Sequence, residues 1–357
     1  MHARDYCPWL VLVVALAGLV AGCWSVSPAN ERVCEPFVAN QVAQLQKWLE
    51  TRSWRMKERY ETPEGSAVRF AFSDTTTNGT FGAIVYFETN LLNVAVADGM
   101  NAGAKAREFD HFFALVNQGR KFWVWKRDRE SNDLFVQCTV VDFGNVGQAQ
   151  PGFVPALVGM GEDEVRNIAS VMRRLKNGEL APAEAYQACP KTEVTPVIVF
   201  ANDGQKIKLA ETYQALCDAL RDKLPIRWEK ELRFPIRFDL GISSDATRSA
   251  SSTNMIGLIR TDCNLVECVL MRPWGVGDKL EKLAPLAVKC NQMRGDGRWA
   301  CIEDGEFCIR GSYPLPYVLA DPGRFVKEFV LASSGELLTQ EDEMLRVVPE
   351  GAVRPEK

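Results

Sequence analysis

The stretch Asn117-Gln118-Gly119-Arg120-Lys121-Phe122-Trp123-Val124-Trp125-Lys126 reads as the end of a helix followed at once by a strand. Upstream of it, Phe109, Phe112, Phe113 and Val116 recur at helical spacing on one stripe, and Gly119 is the usual helix stop. Downstream, the period changes to two. Phe122 and Val124 then fall on one face of a strand, and Trp123 and Trp125 on the other. A sheet with helices on one side has no need of tryptophan on its second side. Trp123 and Trp125 therefore either pack beneath another element or form an exposed surface for a partner, and they are the candidate binding surface of the chain.

Working outward, apolar residues at Val38, Val42, Leu45 and Leu49 predict a helix over about 38–51. Alternation predicts strands over 67–73, 82–88 and 91–97, and, beyond the polar turn Asp128–Asp133, a strand over 134–141. A last helix over about 162–177 turns Val165, Ile168, Met172 and Leu175 inward. Asp163 and Glu164 lie near its expected start, where acids favour the macrodipole. Three landmark pairs recur 174 residues apart: Trp54 with Trp228, Asn90-Leu91 with Asn264-Leu265, and Asn117 with Asn291. Val68–Phe72 is answered by Ile236–Leu240 at an offset of 168. One spacing shared by three pairs argues for a repeated unit. The second half carries a helix at 206–223, strands near 235–240, 255–260 and 265–271, and a helix near 278–292 interrupted by Pro285. Strands at 298–302 and 306–311 follow, with a helix from about Asp321. Between the halves, 178–204 has linker composition, with Val197–Phe200 as a possible extra edge strand.

The order α-β-β-β-α-β-β-α, a Trp just after the first helix, and an Asn closing the middle helix before an aromatic strand (Asn117…Phe122-Trp123; Asn291…Arg298-Trp299) together resemble the YbjN-type domains. Those are described as sensory transduction regulators with a type III secretion chaperone-like fold. The resemblance implies an α+β chain of two tandem α-β-β-β-α-β-β-α domains, each an antiparallel sheet with helices packed on it. The first would span 37–177 and the second 205–333, with 178–204 as linker and 334–357 as tail. It also implies proteins that bind other proteins or peptides, and it brings no catalytic residues. Met293-Arg294-Gly295-Asp296 and the cysteine-rich second half depart from the pattern.

The N-terminus reads as an address. From Trp9 to Gly22 the residues are apolar or small, a run of about 14, too short for a membrane span but suited to a signal-peptide core. Its end, Leu19-Val20-Ala21-Gly22-Cys23, resembles the bacterial lipoprotein signal. That resemblance implies removal of residues 1–22, lipidation of Cys23, a tether over 23–36 and a body held at a bacterial membrane. In a Gram-negative host, Trp24 in place of Asp after the Cys points to the periplasmic face of the outer membrane. Acyl chains bind membranes at about 0.8 kcal/mol per buried CH₂, so two or more anchor stably.

A formal charge of −4, from 42 basic and 46 acidic residues, argues against nucleic acid as a partner. Two histidines, His2 and His111, remove most imidazole chemistry. Of eleven cysteines, Cys7 falls in the signal and Cys23 at the anchor. The rest, Cys34, Cys138, Cys189, Cys217, Cys263, Cys268, Cys290, Cys301 and Cys308, form no Cys-x-x-Cys motif, so neither a zinc ribbon nor a thioredoxin-type motif is supported. Cys34 and Cys189 flank the first domain and are a candidate disulfide, while those of the second half read mainly as small buried hydrophobes. Asp142-Phe143-Gly144 and Gly275-Val276-Gly277-Asp278-Lys279 match kinase and P-loop signatures only in part. No cofactor or metal is implied. The expectation is a non-catalytic, lipid-anchored envelope module with a membrane and a protein or peptide as partners. The alternatives are an envelope hydrolase using carboxylates and a structural lipoprotein.

Overall fold

The computed structural model describes residues 35–52, 54–61, 67–74, 81–88, 91–141, 152–190, 209–229, 233–242, 253–262, 264–273, 280–292, 296–303, 306–340, 343–344 and 346. The chain is mixed α+β and divides into two units, the main boundary falling between Asn202 and Asp203. Each unit is built on a six-stranded antiparallel sheet.

The first unit runs α1 (Glu35–Glu50), β1 (Trp54–Glu61), β2 (Ala67–Asp74), β3 (Gly82–Glu88), β4 (Leu91–Ala97), α2 (Ala106–Gln118), β5 (Val124–Arg127), β6 (Leu134–Val141), α3 (Phe153–Lys176) and α4 (Pro182–Ala188). The sheet order is β1-β2-β3-β4-β6-β5. Phe70, Val85, Val94 and Cys138 lie opposite one another across four strands, and all are buried. This row marks the face on which the helices pack. Gly161 of α3 comes so near the sheet that a Cβ built there would stand 2.6 Å from Val96 and 3.1 Å from Trp123. Asn132, at φ 61°, turns β5 into β6; Asn tolerates that left-handed conformation better than most residues.

The second unit runs α5 (Leu209–Leu220), β7 (Ile226–Trp228), β8 (Ile236–Ile242), β9 (Thr253–Asp262), β10 (Leu265–Met271), α6 (Leu280–Gln292), β11 (Arg298–Glu303), β12 (Glu306–Pro314) and α7 (Leu315–Ala320). A short helix Pro322–Phe325, a π-helical turn Val326–Leu331 and a helix Ala332–Thr339 close it. Its sheet order, β7-β8-β9-β10-β12-β11 when read from the β7 edge, repeats the strand order of the first. Ile236, Ile259, Cys268 and Gly311 form the corresponding row. Where the first sheet has Cys138, Gly311 leaves room for the Phe329 ring, which would stand 3.0 Å from a Cβ there.

The landmark pairs fare differently. Leu91 and Leu265 are the first residues of equivalent strands, and Asn117 and Asn291 are the penultimate residues of equivalent helices, both buried. Trp54 and Trp228 are not equivalent. Trp54 opens β1 opposite Asp74, whereas Trp228 ends β7 opposite Ile236, near the turn that joins the hairpin. The β2 and β8 rows align at an offset of 166, not 168; a two-residue difference keeps every side chain on its face.

Other expectations are corrected. Each middle helix is preceded by four strands, not three, because β1 and β7 lie at sheet edges. The sequence of β1, Trp-Arg-Met-Lys-Glu-Arg-Tyr-Glu, carries charge where a two-sided strand would carry apolar residues. Helix α3 begins at Phe153, behind Gly152 at φ 82°, nine residues before its expected start. Pro155 sits in its first turn, where the missing N–H costs little. Helix α6 continues through Pro285. Part of the linker, Pro182–Ala188, is helical. Val197–Phe200, Asp142–Gly144 and Gly275–Lys279 lie outside the described residues.

Candidate functional site

Cys23 and Cys34 lie outside the described residues; Cys189, the other half of the candidate disulfide, is buried at the end of α4. Trp123 and Trp125 require a correction: they are 0% and 1% exposed and do not form a surface. Trp123 packs against α3 at Gly161 and Trp125 stacks on Phe113 of α2, ring centroids 5.6 Å apart. The second tryptophan face expected of this strand is covered by the helices of its own unit.

Around Trp125 the first unit gathers an ion pair that is the most deeply buried of those among its described residues. The Asn117 side chain accepts from the Trp125 amide at 2.8 Å and donates to its carbonyl at 2.9 Å, which fixes the strand against the end of α2. The Trp125 indole donates to Glu164 Oε1 at 3.2 Å, and Arg120 Nη2 lies 2.8 Å from the same oxygen. Glu164, expected near a helix start, lies mid-helix because α3 begins earlier, and it is fully buried. Arg127 completes the lattice with a bidentate grip on Asp110 of α2 at 2.7 and 2.8 Å.

The second unit places its charges on the other side of the sheet. Glu267 of β10 accepts from Arg260 at 2.7 Å and from Arg310 at 3.1 Å. Glu267 and Arg310 are almost wholly buried. The Arg310 guanidinium stands 6.0 Å from the Trp299 ring centroid, and that of Arg260 4.7 Å from the Phe234 ring. Glu267 neighbours Cys268 in the strand, so the two side chains point to opposite faces. Burial, and then the Glu267 carboxylate, hold the Cys268 thiol well above its ordinary value of 9.0, which keeps it protonated. Burial likewise raises Cys217. Neither environment suits a nucleophilic thiolate.

Among the remaining titratable groups, Asp98 follows β4. Burial raises its carboxyl above the ordinary 3.8, against the opposing pull of the Met100 amide, Arg173 and Lys176. His111 is half-buried on α2. Among the described residues no group of three His, Cys, Asp or Glu is placed to hold a metal ion, and no helix is long and apolar enough to cross a membrane.

One feature faces outward. β1 is the outermost strand of the first sheet, eight residues long, paired on one side to β2 with a register shift between Met56 and Glu58. Arg55 and Lys57 are exposed, and Met56 is 45% exposed, one of two large exposed hydrophobic residues among those described. The charged sequence that hid this strand from alternation is typical of an edge. No family model, curated protein or solved structure matches the chain.

Proposed function

We propose that this chain is a lipid-anchored cell-envelope module that binds a protein or peptide in extended form, without catalysis, as the YbjN-type resemblance and the Leu19–Cys23 signal imply. The observation that supports it is the open edge of β1. Among the described strands β1 is paired on one side alone, so its outer main-chain donors and acceptors are of the kind that an added strand can satisfy, and the exposed Met56 supplies an apolar contact for one of that strand's side chains. The bulge beside Met56 and the charges at Arg55 and Lys57 guard the edge against pairing with copies of itself. Binding through main-chain hydrogen bonds requires no cofactor.

A photo-cross-linking residue at Met56 in the lipid-anchored chain, irradiated in its own envelope, should give a polypeptide adduct that the same residue at the exposed Arg221 does not. Equal labelling at both positions, or none at Met56, would sink the reading. Cys23→Ser should release the chain from the membrane fraction. Retention of that variant would remove the anchor.

A further inference from the structure

Cys301 of β11 and Cys308 of β12 are direct partners in an antiparallel ladder whose last pair is Glu303 with Glu306. Directly opposed residues in such a ladder have Cα atoms roughly 4.5–5.5 Å apart, inside the window of about 4.4–6.8 Å that a disulfide spans. The side chains also converge: the two Sγ atoms are 3.1 Å apart, and both residues are fully buried. The other thiols of the core row and of α5 have no such arrangement, since Cys268 lies opposite Ile259 and Gly311, and Cys217 is on a helix.

We propose that Cys301 and Cys308 form a disulfide that clasps the β11–β12 hairpin at the edge of the second sheet. A dissolved disulfide such as glutathione disulfide is the oxidant. One cysteine thiolate attacks a sulfur of that oxidant, its S–S bond breaks, and one glutathione leaves as thiol. The second cysteine thiolate then attacks the mixed disulfide, the Cys301–Cys308 S–S bond forms, and the second glutathione leaves. Two cysteines lose two electrons and two protons, and one glutathione disulfide becomes two thiols. Because neither sulfur is exposed in the folded unit, the exchange takes place while the hairpin is open, and closure then shields the bond from reductants. The proposal rests on the strand register and does not depend on the cellular address argued above.

Both cysteines fall in one tryptic peptide, Trp299–Arg310, which has no internal Lys or Arg. The full chain in detergent, unfolded and reduced, is refolded in a mixture of reduced and oxidised glutathione. It is then trapped with iodoacetamide in denaturant and digested. The peptide Leu209–Arg221, which carries Cys217 as its one cysteine, reports the completeness of trapping. The expected result is a Trp299–Arg310 peptide two hydrogens lighter than the dithiol and without alkylation, which becomes doubly alkylated when reductant precedes trapping. A doubly alkylated peptide from the oxidising mixture, or either cysteine joined to a different one, would overturn the proposal.

Discussion

Trp125 and Trp299 occupy the same place in sequence, 174 residues apart and eight residues after an equivalent Asn, yet they lie on opposite faces of their sheets. Trp125 pairs with Val136, which pairs with Val96 on the helix-covered face. Trp299 pairs with Arg310, which pairs with Val269, one residue from the core Cys268 and so on the far side. The cause is a single step of register. Leu91 lies opposite Val141, but Leu265 lies opposite Pro314, one residue short of the position that the repeat offset predicts. With a side-chain period of two, that step carries the whole edge hairpin over to the other face. Each unit then meets the same demand, shielding a buried charge, on a different side. Glu164, on a helix, is served by Arg120 just beyond the end of α2 and by Trp125 of β5, and Glu267, on a strand, by Arg260 and Arg310 of the neighbouring strands.

Replacing Trp125 with Ala should have the largest effect, about 4 kcal/mol in urea unfolding, because it empties a large core site and removes a donor from Glu164. Trp125→Phe, which keeps an aromatic ring but not the N–H, should cost about 1–2 kcal/mol. Next come the two carboxylates. Glu164→Gln and Glu267→Gln should each cost about 3 kcal/mol, since each leaves buried guanidinium groups without their counter-charge. The double change E267L/R310L should recover most of the second loss. If Glu267→Gln costs less than about 1 kcal/mol, the far face of the second sheet is wet and the two units do not solve the same problem. Asn117→Ala should cost about 2 kcal/mol by freeing both main-chain groups of Trp125.

Asp98→Asn should have the smallest effect, and its size depends on pH. Burial raises the folded carboxyl above 3.8, so between that value and the folded one the native state holds more proton than the unfolded chain, and stability falls as pH rises through the window. Asn keeps an oxygen for the Met100 amide and carries no charge to desolvate. The variant should therefore be the more stable protein at neutral pH, with the difference shrinking as pH falls toward the ordinary carboxylate range. A difference that grows on acidification would refute this account of Asp98.

Most elements were legible because burial writes period and alternation into sequence. The strands at 82–88, 91–97, 134–141 and 265–271 fall where alternation predicts them. What escaped was whatever is not two-sided. β1 and β7 are edges, so their residues answer to solvent. The early start of α3 was hidden by Gly152, Pro155, Gly159 and Gly161, residues that ordinarily end helices. The charged pairs were not legible at all. Arg120, Glu164, Arg260, Glu267 and Arg310 are scattered along the chain, and only the ladder and the crossing of α3 bring them together. The register step is likewise invisible, since the Asn-to-Trp spacing and the pairing within the edge hairpin are the same in both halves, and only the pairing of β12 with β10 differs from that of β6 with β4. For Trp123 and Trp125 the sequence left burial and an exposed surface both open, because helices on a strand's flank cannot be counted from the strand alone.

Gly161 fixes how low α3 rides over the sheet. Alanine, the best helix former, is the wrong residue there, because its methyl would press into Val96 and Trp123. A mutational history that polished α3 for intrinsic helicity would lift it from its seat and pull Glu164, less than one turn further on, away from the indole that steadies it. The first unit is thus bound to an unfavourable local choice by the fit beneath it, and substitutions at this position should drift far less freely than those on the exposed side of the same helix.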